Sequence, residues 1–157
     1  IEYKFGVGST AVGIAVAAIT LSSAVVSLMY QRVKQRFSYL GVFGYTFFFT
    51  GLAFLFLSWS NLYPFAVLSL LIGGLGMGLL MPNASVWLMD LAPTDMRGRV
   101  MGGMTTAVFL GQFVSPLVTQ PMVTRVGAER SFILLGTMLI IATAVTLLSS
   151  SMFKRWS

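Results

Sequence analysis

In the stretch DLAPTDMRGRVMG, residues 90–102, two carboxylates and two guanidiniums stand close together: Asp90, Asp95, Arg97 and Arg99. Groups of these types can transfer protons, hold a metal or pair by charge. The rest of the chain removes the first two. It contains no histidine and no cysteine, and its four acidic residues all fall near the ends of apolar runs. No triad, paired-carboxylate site or metal cage can be built from such a set. The chain reads as a non-enzyme that calls for no cofactor and no metal, and charge pairing is the chemistry left to the cluster.

The elements that carry these charges are set by the composition. Hydrophobic residues make up 57% of the 157 residues and charged ones 9%, with a mean hydropathy of +0.88. This is the balance of a membrane protein. The net charge of +6 does not point to nucleic acid, because the basic residues are scattered in small groups between apolar runs. A helix needs about 20 residues to cross a hydrocarbon core. Five runs reach that length, 7–30, 37–59, 62–89, 100–124 and 131–153, and none has an Asp, Glu, Lys or Arg in its interior. The expected fold is all-α, with five transmembrane helices and no soluble domain. The lipid bilayer is the first partner.

Loop charges predict the orientation. Arg32, Lys34, Arg36, Arg97, Arg99, Lys154 and Arg155 fall on one side, against Lys4, Arg125 and Arg130 on the other. The positive-inside rule then puts the C-terminus in the cytoplasm, in the plasma membrane, which in a bacterium is the inner one. Tyr30, Tyr39, Trp87 and Trp156 lie near the cytoplasmic border, and Trp59 and Tyr63 near the other, as interfacial anchors do. The chain starts at Ile1 without a methionine, and the reading takes it as a piece of a longer protein.

Helical faces add detail. At 100° per residue, Ser9, Gly13, Ala17, Thr20, Ser23 and Ser27 share a side of the first span. Ser69, Gly73, Gly76, Asn83, Trp87 and Asp90 form a stripe on the third. On the fourth, Gly103, Ala107, Gly111 and Ser115 recur every four residues, the spacing that lets membrane helices approach closely. Thr105, Gln112 and Thr119 line up roughly opposite. The second span is aromatic nearly all round, with Phe47, Phe48, Phe49, Phe54 and Phe56, and reads as a lipid-facing helix. The GGLGMG run at 73–78 sits inside an apolar span, so it reads as packing and not as a phosphate loop. Asn83 and Gln112 are amides in an apolar setting, which serve either as glue between helices or as lining of a wet cavity. Asn83 also opens a glycosylation sequon, Asn83-Ala84-Ser85, too deep in a span for modification. Thr94 or Asp95 is placed to cap the fourth helix after Pro93.

The arrangement D-x-x-P-x-x-x-R-G-R from Asp90 to Arg99, after a glycine-rich helix, resembles the loop between transmembrane helices ten and eleven of the major facilitator superfamily. Two spans earlier, residues 27–36 are similar to a decayed copy of that family's G-x-x-x-D-R-x-G-R-R loop. Arg32 and Arg36 match, whereas Ser27, Gln31, Lys34 and Gln35 depart from it. The stretch LGQFVSPLVTQP, with Gly111, Pro116 and Pro121, is similar to helix eleven, and the aromatic second span suits the peripheral helix nine. The resemblance covers nearly the whole chain and implies helices eight to twelve of a twelve-helix fold, partnered by the missing N-terminal half.

The resemblance implies that Arg32, Arg36, Asp90 and Arg97 form a cytoplasmic gate whose ionic contacts hold in one transport state and break in the other. Losing the acid at Gln31 removes one partner from that network. Because family helices eight, ten and eleven contribute to the central cavity, Thr20, Ser27, Asn83, Trp87, Thr105 and Gln112 are the cavity candidates. A cavity with amides and aromatics and no fixed charge suits a lipophilic or mixed small-molecule substrate. The expected function is secondary active transport by alternating access, as proton-coupled efflux, with the proton-carrying carboxylate in the missing half. Metabolite or sugar uptake is the alternative within transport. A non-transporting receptor or scaffold of the same fold is the alternative outside it.

Overall fold

The structure, a computed structural model, describes residues 8–60 and 62–153. Lys4, Lys154, Arg155 and Trp156, on which part of the charge and aromatic reading rests, lie outside the described residues. The described chain forms five long helices and one short one: α1 (Ser9–Leu28), α2 (Tyr30–Lys34), α3 (Tyr39–Trp59), α4 (Tyr63–Leu91), α5 (Arg97–Val126) and α6 (Ala128–Phe153). No strand occurs among the described residues. The five long helices are those apolar enough to cross a membrane, and they coincide with the five expected spans.

Local chemistry sets their ends. Ser38 is extended and its hydroxyl accepts from Gly41 N at 3.2 Å, which satisfies one of the free amides that open α3. Pro64 lies in the first turn of α4, where a missing N–H costs nothing. At the other end of α4, Ala92 is extended at φ −82° and ψ 132° because Pro93 disfavours a helical residue before it. Gly127, at φ 87°, separates α5 from α6 in a conformation that suits glycine. The expected cap of the fourth span is corrected. Met96 occupies the cap position without a side-chain hydrogen bond, and its amide instead closes a turn onto Pro93 O at 3.0 Å. The helix begins early, so Arg97 and Arg99 stand in its first turn, where the helix dipole disfavours cations and favours an anion nearby.

Helix α3 packs against both α4 and α6, and α1 lies on the far side of α4, while α5 touches its neighbours only lightly. The expectation of a lipid-facing second span is therefore corrected. Its small residues make the contacts: Gly41, Gly44, Thr46, Gly51, Ala53 and Ser58 are buried, whereas Phe48 and Phe56 are exposed. A Cβ on Gly51 would stand 3.0 Å from Gly136 O, and one on Gly136 the same distance from Gly51 O. Two backbones thus meet directly across α3 and α6.

The glycine run of α4 serves two neighbours. Gly74 faces α1, where an added Cβ would lie 2.6 Å from Ile19 O, and Gly78 meets the Ser23 backbone one turn on. Gly76 faces α3, where a Cβ would lie 2.7 Å from Thr46 O. Ser22 and Ser23 hydroxyls donate to Leu71 O at 2.8 Å and Gly74 O at 3.2 Å, fastening α1 to the same surface. Toward the Asp90 end, Val26, Tyr30, Val42 and Leu79 form a buried cluster backed by Val33, Tyr45 and Leu75.

Helix α5 has no buried residue. The close packing expected for Gly103, Ala107, Gly111 and Ser115 finds no helix among the described residues, with nothing within 4 Å of a Cβ on Gly103 or Gly111.

Candidate functional site

The charged cluster lies where α3 begins and α4 ends. The two helices are antiparallel and joined by a short turn, so Tyr39, at the start of α3, comes level with Asn83. The Asn83 amide nitrogen donates to Tyr39 O at 3.0 Å, and its oxygen accepts from the Tyr30 hydroxyl at 3.4 Å. Asn83 is 0% exposed. Of the two readings open for it, glue between helices is the one seen, and its assignment to the cavity lining is corrected. A buried amide must find partners, and both of its ends have them.

Asp90 sits two turns further along α4, on the surface. Its carboxylate accepts a hydrogen bond from the Tyr39 hydroxyl. The Tyr39 ring stacks on Trp87 with centroids 5.8 Å apart and planes 11° apart, and Trp87 also meets Phe43 at 5.7 Å. Trp87 is half-buried in this ring cluster and turns toward α3. Lys34 Nζ lies 3.5 Å from the Tyr39 ring centroid, close enough for the ring's negative face to attract the ammonium. Three aromatic residues read from sequence as separate interfacial anchors, Tyr30, Tyr39 and Trp87, thus surround one asparagine and one aspartate.

The four gate residues are not gathered into ion pairs. Arg32, Arg36 and Arg97 are exposed, and in this arrangement Asp90 meets Tyr39 in place of a guanidinium. Sequence reasoning missed Tyr39 and Lys34 as parts of the site. The available signal was positional, since Tyr39 and Asn83 lie equally far from the turn between their helices.

The remaining cavity candidates are spread over the bundle. Thr20 is exposed and its hydroxyl bonds its own helix at Val16 O, 2.8 Å away. Ser27 is half-buried at the end of α1, and Thr105 and Gln112 are exposed on α5. A cleft of about 480 Å³ opens between α3, α5 and α6, lined by Phe54, Ser115, Thr119 and Met138 among others. A second, of about 390 Å³, lies at the Trp59 end between α3 and α4. Neither is lined by the six candidates, although Thr119 belongs to the same stripe as Thr105 and Gln112.

The family model described as Major Facilitator Superfamily matches residues 1–155. No curated protein matches the chain.

Proposed function

Because the chain belongs to the major facilitator superfamily, and is thus an integral membrane protein of a transporter family, we propose that it forms helices eight to twelve of a secondary active transporter. The observation that carries this reading is α5: a thirty-residue apolar helix with no buried residue that bears Thr105, Gln112 and Thr119. The Thr105 and Thr119 hydroxyls bond their own helix at Met101 O and Ser115 O, so the Gln112 amide is the group that needs a partner, and an amide at membrane depth faces protein or water rather than lipid. Such a face calls for a second bundle across a wet path, which is how a solute site between two halves is built. Thr20, Ser27, Thr105 and Gln112 line that path, with Thr119 behind them. Trp87 and Asn83, on α4, brace it from behind through their contacts with Tyr39 of α3.

In this reading the Asp90 end is cytoplasmic and works as the gate. Asp90, Arg97, Arg32 and Arg36 form contacts in one state and lose them in the other. Arg97, in the first turn of α5, gains from a carboxylate nearby. The solute is lipophilic or mixed, because Thr20, Ser27, Thr105 and Gln112 give the path one amide, three hydroxyls and no fixed charge. Transport is proton-coupled efflux, with the titrating carboxylate on the N-terminal half.

The test is solute accumulation in cells that lack or overproduce the full-length protein, across a panel of lipophilic compounds, sugars and other metabolites. Efflux predicts that overproduction lowers the accumulation of at least one lipophilic compound and that loss raises it. Changes confined to sugars or metabolites, with the opposite sign, would establish uptake instead. No response to any solute would favour a receptor or scaffold.

A further inference from the structure

We propose that Tyr39 is the residue through which Asp90 acts, as a clasp between the start of α3 and the end of α4 that carries Lys34 on its ring. The clasp rests on the gate reading above and adds to it a residue that the family resemblance does not supply. Four contacts converge on this one tyrosine. Its hydroxyl donates to the Asp90 carboxylate, its ring carries the Lys34 ammonium 3.5 Å from the centroid, and it stacks on Trp87. Its carbonyl is held by the buried amide of Asn83 at 3.0 Å.

These contacts divide the work. The Asn83 bond and the Trp87 stack fix the backbone and ring plane of Tyr39, so the hydroxyl is presented to Asp90 by a rigid support. The ammonium over the ring places a positive charge beside the hydrogen bond that the hydroxyl makes to the carboxylate. One cation and one anion are thereby linked through a neutral ring in this arrangement, and the contacts of Asp90 with the guanidiniums belong to the other state of the gate. Gln31 and Gln35 leave this stretch without an acid of its own, and Lys34 lies on the ring whose hydroxyl is bonded to Asp90. The clasp opens by loss of a single hydrogen bond, with the helix packing below it unchanged. Tyr39 is a positioning residue for the gate.

The experiment uses the full-length protein in membranes, with a single cysteine at Ser27 and its maleimide labelling rate from the Asp90 side as the readout. Tyr39→Phe keeps the ring, the Lys34 contact, the stack and the Asn83 bond, and removes only the hydroxyl. The expected result is an unchanged thermal midpoint with a labelling rate shifted about tenfold, the scale set by a charge-assisted hydrogen bond. Asp90→Ala should shift the rate in the same direction, and the double variant no further than either single one. Lys34→Gln should shift it less. If Asp90→Ala moves the rate and Tyr39→Phe does not, the clasp is wrong while the gate stands. If the two effects multiply, or if Tyr39→Phe lowers the midpoint as much as it moves the rate, Tyr39 is structural and the clasp is again wrong. If neither variant changes labelling, the gate reading fails and the clasp with it.

Discussion

Replacing Asp90 with asparagine, or Arg97 with glutamine, in the full-length protein is expected to slow turnover about tenfold while leaving expression and solute affinity close to unchanged. An exposed ion pair contributes only about 0–1 kcal/mol to stability. A contact made in one transport state and broken in the other biases their ratio by its whole energy, and about 1.4 kcal/mol of bias is tenfold. Both residues are exposed, so neither substitution opens a cavity or strands a buried partner. The double variant should lose well short of the sum of the single losses, as residues in one network do. If the cluster served only to end α4 and contact lipid headgroups, Asp90→Asn would be nearly silent in transport and Arg97→Gln would disturb insertion.

The second large effect concerns packing. Gly78→Leu is expected to destroy the contact between α1 and α4 and to lower the thermal midpoint of the detergent-solubilised chain sharply. Even a Cβ at this position would press on the backbone oxygen, carbon and Cα of Ser23, and a backbone cannot rotate aside as a side chain can. Overpacking of this kind costs about 1–3 kcal/mol and occasionally more. The hydroxyl bonds of Ser22 and Ser23 to α4 would be lost together with the close approach. Gly111→Leu is the matched control, because nothing lies within 4 Å of its Cβ position, and a surface change of this sort stays within about 0.5 kcal/mol. Equal losses for the two variants would overturn the assignment of the glycine run to helix contact.

Hydropathy located the five spans because length and apolarity are properties of each segment alone. Which face of a segment meets protein is a different question, since lipid and a neighbouring helix are both apolar. Helix α3 illustrates this. Its phenylalanines dominate the sequence, but the contact with α6 is carried by Gly44, Gly51 and Ser58, seven residues apart, against Thr146, Gly136 and the Glu129 carbonyl. That ladder of small residues was present in the sequence and was hidden by the rings around it. The GGLGMG run was legible as packing, though not that its alternate glycines serve α1 and α3. At the site, Asp90 stood out because charge is rare in this chain. Tyr39 did not, because its role depends on the antiparallel register that brings it level with Asn83.

The gate and the direction of transport both stand on the claim that the Asp90 end faces the cytoplasm. Side-specific labelling of single cysteines tests that claim most directly, and the chain contributes no cysteine background. Gln35, Thr94 and Leu62 are exposed, the first two at the Asp90 end and the third at the other. In the full-length protein in intact cells, an impermeant maleimide should label Leu62→Cys and leave Gln35→Cys and Thr94→Cys untouched until the cytoplasmic side is opened to it. Labelling of Gln35→Cys and Thr94→Cys from outside, with Leu62→Cys protected, would reverse the orientation and contradict the cytoplasmic gate.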